Sequence, residues 1–154
     1  MNALKMNIVG TQFLREFHKY RPHIDNYSKW AYITIDHRLK KEYNVVKDEI
    51  TKQIKSHSGY KIKCIYIYKI PQVNRPLYIG KSQNLIGRVL NHYKEIYDPN
   101  IGFLKWKKFW RKNKNRMRIY YLPIESENIE LDETIRKLIE SLLTLKHKPF
   151  SIEV

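Results

Sequence analysis

Between residues 63 and 92 the chain gathers tyrosines, two cations and a histidine at spacings suited to work on a phosphodiester. Two runs, Lys63-Cys64-Ile65-Tyr66-Ile67-Tyr68-Lys69-Ile70 and Leu77-Tyr78-Ile79-Gly80-Lys81, are rich in β-branched and aromatic residues. A Pro- and Asn-containing loop separates them, which is the pattern of a paired strand hairpin. Asn84 stands where a helix cap belongs. In the helix it would start, Arg88 and His92 are four residues apart and share a face. A permanent cation and a titratable imidazole would then look back at the hairpin's tyrosines, with room for a phosphate between them.

Hydrolysing a phosphodiester requires a deprotonated water, neutralised charge on the non-bridging oxygens and a stabilised leaving 3′ oxygen. Arg88 offers a planar fork for two phosphate oxygens and stays charged, and Lys81 adds a second positive charge. His92 could take a proton from water or position it. Tyr68 and Tyr78 share a face if the hairpin pairs, and a nearby cation or metal-bound water could lower a phenol's pKa far enough to make it the base. Which of these groups is the base stays open at this level. Each also has a plain reading, as a solvated helix cation or a structural histidine.

The elements around this stretch set its environment. The chain has 154 residues, enough for one well-buried domain with an appended arm, and its 42% hydrophobic and 13% aromatic content belongs to a folded globule. Lysine and arginine number 30 against 15 acidic residues, a formal charge of +15, which points to a polyanionic partner, nucleic acid before an anionic membrane. Residues 61 to 118 hold 15 of the basic and 2 of the acidic residues, so the charge sits where the motif sits. The single cysteine, Cys64, excludes an intrachain disulfide framework. With no export signal or 18-residue apolar run in the sequence, the expected location is the cytoplasm.

Residues 1 to 60 are expected to form a helical arm, for dimerisation or DNA contact. It would hold a helix over 11 to 20 stopped by Pro22, a short strand over 30 to 35, and a helix over 39 to 55 whose stripe is Leu39, Tyr43, Val46, Ile50 and Ile54. A break follows at Ser56-His57-Ser58-Gly59. After the hairpin and its helix comes a turn-rich stretch at 97 to 102, then an amphipathic helix over 103 to 114. Its aromatic face is Phe103, Trp106, Phe109 and Trp110; its basic face, Lys105, Lys107, Lys108, Arg111, Lys112 and Lys114, would be solvated or follow a phosphate backbone. Residues 117 to 122 read as a strand stopped by Pro123, and residues 132 to 146 as a helix capped by Asp132.

This order of hairpin, helix, strand and helix resembles the GIY-YIG nuclease family over about residues 61 to 152. Tyr78-Ile79-Gly80 matches the second half-motif, ten residues after Tyr68, and Arg88 and His92 follow Tyr78 by ten and fourteen, the family's offsets. Lys81 stands where repair-type members carry lysine. Tyr66-Ile67-Tyr68 occupies the first half-motif with tyrosine in place of its leading glycine, so Tyr66 would narrow the pocket. Glu140 precedes Pro149 by nine residues, as the family's metal-binding glutamate precedes its proline, and Ile152 stands where many members have asparagine.

The resemblance implies an α+β domain over 61–154 with a small three-stranded mixed or antiparallel sheet flanked by helices. It implies a metal-dependent DNA endonuclease, with Glu140 holding one Mg²⁺ or Mn²⁺ and Glu133 in reserve. The compact build favours a site-specific, type II restriction-like enzyme on double-stranded DNA, working as a homodimer at least on its substrate. A catalytically lost nucleic-acid-binding protein and a nonspecific, single-strand, repair or homing-type nuclease are the alternatives. No zinc-spaced Cys/His cluster, phosphate-binding Gly-rich loop or Gly-X-Ser-X-Gly elbow offers other chemistry.

Overall fold

A computed structural model describes residues 3–37, 40–54, 62–97, 116–126 and 128–150, with side chains from residue 10 onward. The fold is α+β. Among the described residues the strands are β1 (Ala31–Asp36), β2 (Cys64–Lys69), β3 (Tyr78–Ser82) and β4 (Arg116–Pro123), all paired antiparallel in the order β1-β4-β2-β3. The expected sheet of three strands is therefore corrected to four. The extra strand comes from the stretch assigned to the helical arm. Ile33 and Ile35 alternate as strand residues, and pairing with Ile119 and Met117 of β4 gives them a surface on which to be buried.

Alternation divides the sheet into two faces. On one, Ile33, Ile35, Cys64, Tyr66, Tyr68, Met117, Ile119 and Tyr121 pack with α2 (Tyr43–Gln53) and α3 (Leu85–Tyr97). On the other, Ile65, Ile67, Ile79 and Tyr120 pack with Ile24 of α1 (Ala3–Ile24) and with Leu131, Ile135, Ile139 and Leu143 of α4 (Ile129–His147). β2 is covered on both sides, which explains its unbroken Cys-Ile-Tyr-Ile-Tyr run. Each buried isoleucine contributes about 1.5–3 kcal/mol of transfer free energy.

Local signals place most boundaries. Asn84 caps α3 as expected, its Oδ1 accepting the Gly87 N–H at 3.0 Å. β4 ends at Pro123. α2 covers Tyr43–Gln53 of the expected 39–55, and its last residue turns back to the sheet: the Gln53 amide accepts from Thr34 N at 2.7 Å and donates to Thr34 O at 2.9 Å. That side chain occupies part of the open edge of β1.

Two expectations are corrected. Pro22 does not stop α1; it lies in the last turn, and the helix runs to Ile24, whose side chain is buried while Trp30 Nε1 donates to His23 O at 2.7 Å. Asp132 does not cap α4. Asn128 does, accepting from the N–H groups of Glu130 and Leu131 at 2.9 and 3.3 Å. Asp132 sits one turn inside, 0% exposed, accepting the Ser126 N–H and 3.9 Å from Lys63 Nζ. An acid in the first turn also suits the helix dipole. The expected basic helix over 103–114, the break at 56–59 and the Ile152 position lie outside the described residues.

Candidate active site

The register of β2 and β3 sets Tyr68 opposite Tyr78 and Tyr66 opposite Gly80. All three rings lie on the face covered by α3, with Tyr66 and Tyr68 each 5.9 Å from Tyr78 between centroids. α3 buries Leu85, Val89 and Tyr93 against the sheet, and this rotation brings Arg88 and His92 over the tyrosines. Tyr68 Oη and His92 Nδ1 are 2.8 Å apart, and Arg88 Nε donates to Tyr66 Oη at 3.4 Å. Arg88 also engages the Tyr78 hydroxyl. The His92 ring stands nearly perpendicular to Tyr68 and Tyr78, at 88° and 83°.

The cluster is layered by depth. Tyr68 and His92 are 2% and 4% exposed and Tyr66 is fully covered, while Tyr78 is half-buried and Arg88 reaches solvent. Burial pushes the Tyr66 and Tyr68 phenols well above their ordinary value. Desolvation, with the Arg88 charge added, takes His92 down to about 4. For Tyr68, loss of water at this depth outweighs the attraction of Arg88. Near neutral pH the pair is a phenol hydrogen-bonded to an uncharged imidazole.

Lys81 and Glu140 form a second couple. Lys81 pairs with Ile65 and so points to the opposite face from Gly80, toward α4, where the half-buried Glu140 has its pKa raised by burial and partly restored by the Lys81 charge. Glu133 accepts from Gln83 Nε2 at 3.1 Å on the same side. No hydrogen bond or ion pair joins Glu140 to the tyrosines, Arg88 or His92. Among the described residues no three His, Cys, Asp or Glu side chains converge as a metal cage. A half-buried carboxylate with no hydrogen bond among the described residues fits a loosely held Mg²⁺ or Mn²⁺, which keeps most of its waters, and does not fit a closed site. Lys105, Lys107, Lys108, Arg111, Lys112 and Lys114 lie outside the described residues.

Comparison of the chain with family models, curated proteins and solved structures finds no match.

Sequence reasoning missed a second pair beside the first, of buried His37 and half-buried Tyr97. His37 Nδ1 lies 2.9 Å from Tyr97 Oη, and its ring stacks on Tyr97 and tilts over Tyr93. A cavity of about 10 Å³, lined by Tyr68, His92, His37 and Tyr93 among others, separates the pairs, at the lower limit for one water. No spacing rule could connect His37 to this region, because β1 joins it only through the sheet. A separate groove of about 900 Å³ lies between α1 and Glu125, Ser126 and Asn128 and includes none of these tyrosines. The convergence of reactive groups, rather than groove size, identifies the site. Among the described residues no helix is long and apolar enough to cross a membrane.

Proposed function

We propose that the chain is a metal-dependent DNA endonuclease of the GIY-YIG type that hydrolyses phosphodiester bonds in duplex DNA. The observation that carries this reading is the convergence, on one sheet face, of Arg88 on Tyr66 at 3.4 Å and His92 on Tyr68 at 2.8 Å beside the half-exposed Tyr78. Tyr68, Tyr78, Arg88 and His92 are the residues that the family spacing picks out, and their meeting supports it. A charge of +15 supports a phosphate-bearing substrate.

The roles follow from depth. Arg88 is the exposed fork that receives the scissile phosphate and offsets its growing charge. Tyr78 stands at the same boundary and is the phenol placed to exchange a proton with an attacking water. Tyr68 and His92 are supports: the shared hydrogen bond fixes the imidazole, and neither group is charged near neutral pH. Tyr66 holds Arg88 from below. Glu140, with Lys81 nearby on the α4 side of β3, would hold the Mg²⁺ or Mn²⁺, which when bound would supply Lewis-acid chemistry. The same reading includes site-specific cleavage by a homodimer and a cytoplasmic location.

The alternative is a nucleic-acid-binding protein that has lost catalysis, favoured by the depth of Tyr68 and by tyrosine in place of glycine at position 66. Supercoiled plasmid incubated with the full chain and Mg²⁺ or Mn²⁺, beside Arg88→Ala and Glu140→Ala, separates the two. The wild type is expected to nick and linearise the plasmid and both variants to leave it intact. Wild-type cutting no faster than the variants with either metal, on duplex and single-stranded substrates, sinks the enzyme reading. Mapped product ends then decide specificity, with discrete fragments expected and a smear excluding a restriction-like enzyme.

A further inference from the structure

Among the described residues, the face of the sheet opposite the tyrosine cluster is covered by α1 and α4 over only part of its length. α1 and α4 bury Ile65, Ile67, Ile79 and Tyr120, and beyond that apolar row the strands turn basic. Thr34 of β1, Arg118 of β4 and Lys69 of β2 form one cross-strand row, and Asp36 and Arg116 begin the next. An aromatic ladder leads out to it. Tyr27 meets Tyr120 at 5.4 Å between centroids, Tyr120 meets Tyr32 at 5.5 Å, and the Arg118 guanidinium lies 4.6 Å over the Tyr32 ring. Tyr120 Oη accepts from Arg118 Nη1 at 3.3 Å, so the guanidinium is held at two points while Tyr32 stays 46% exposed.

Among the described residues two of the three cations there lack a carboxylate. Neither Arg118 nor Lys69 has a carboxylate partner among the described residues, and the single carboxylate the strands supply, Asp36, lies 3.8 Å from the exposed Arg116. In the chain, Arg116 directly follows the stretch carrying Lys105, Lys107, Lys108, Arg111, Lys112 and Lys114.

We infer that this open end of the sheet, made by Lys69, Arg116 and the Tyr32-supported Arg118, is a docking surface for the phosphate backbone of duplex DNA. It rests on the DNA reading above but uses none of the residues given to catalysis. Fixing a guanidinium on an aromatic ring leaves its outer N–H groups free and lowers the ordering cost of a phosphate contact. Strand-borne cations at strand spacing suit contacts to a phosphate backbone, which position a duplex.

Binding of a fluorescein-labelled duplex, measured by anisotropy in EDTA at several salt concentrations, tests this apart from cleavage. Lys69→Gln/Arg118→Gln should retain the wild-type melting temperature, weaken binding on the order of tenfold, and reduce the slope of log affinity against log salt by about 2. Lys47→Gln/Lys52→Gln removes the same charge from exposed positions of α2, which packs on the other face, and should leave the slope within about 0.5 of wild type. Equal slopes for the two double variants overturn the surface while leaving the nuclease reading intact, as does a loss confined to single-stranded DNA. A wild-type chain that neither binds nor cuts any duplex removes both.

Discussion

The phenol oxygen of Tyr66 lies 2.5 Å from the point where a β-carbon on Gly80 would stand, and a carbon of the Tyr78 ring lies 2.8 Å from it. Tyr66 and Gly80 face each other across β2 and β3, so the glycine of Tyr-Ile-Gly is the space into which the tyrosine of the first half-motif fits. Gly80→Ala should therefore overpack the site and cost about 1–3 kcal/mol in urea unfolding. In a Tyr66→Ala background the added cost should fall by about 1 kcal/mol or more. Equal costs in both backgrounds would uncouple the two positions.

Arg88 is exposed, so its loss should register in activity more than in stability. Arg88→Ala is expected to lower kcat/KM by two to three orders of magnitude, about 3–4 kcal/mol of transition-state stabilisation. Arg88→Lys should recover little, because an ammonium cannot bridge Tyr66 and a phosphate as a planar fork does. Cutting of plasmid at near-wild-type rate by either variant would take Arg88 out of the site.

The two tyrosines opposite each other should behave differently. Tyr78→Phe, at the solvent boundary, is expected to slow single-turnover cleavage roughly 10²–10⁴-fold, the range of a lost proton-transfer group. Tyr68→Phe removes a hydroxyl that lies 2.8 Å from His92 Nδ1 at depth, so a smaller rate loss is expected, with about 1–3 kcal/mol of stability lost. The reverse ranking would make Tyr68 the working phenol.

Acid should unfold this protein through its imidazoles. Burial lowers His92 to about 4 and His37 to about 3 from an ordinary 6.5. Both folded values are depressed, so the unfolded chain takes up protons first as pH falls. The stability linked to these groups is complete above pH 6.5 and is lost progressively as pH drops through 4 toward 3. The slope is about 1.4 kcal/mol per pH unit for each ring. Urea unfolding between pH 7 and 5 should show it, and His37→Gln should show about half. A flat profile would mean that both rings can be charged within the fold.

Local signals made much of the fold legible. The hairpin follows from β-branched and aromatic runs, α3 from Asn84, and the end of β4 from Pro123; each signal acts within a few residues of its effect. The misreadings came from interactions that cross the chain. Asn128 and Asp132 are both competent caps, and the choice turned on burying Asp132 beside Lys63. Pro22 was overridden by contacts of the terminal turn. Ile33 and Ile35 announced a strand but could not name β4 as its neighbour. In the site, the sequence identified the residue types that meet and said nothing of depth, so the raised pKa of Tyr68 and the fit of Tyr66 over Gly80 emerged only with register and burial.

The position of β4 has a consequence for the order in which the molecule can form. Among the described residues it is the last strand in the chain, yet it lies between β1 and β2, and β1 has no other neighbour in the sheet. The partners of Ile33 and Ile35 are residues 119 and 117, more than 80 positions downstream. A nascent chain that has not yet exposed β4 can close the β2–β3 hairpin against α3 but must leave β1 unpaired. Such distant closure is slow compared with hairpin formation. The tyrosine cluster can thus begin to assemble well before the strand that completes the sheet is available.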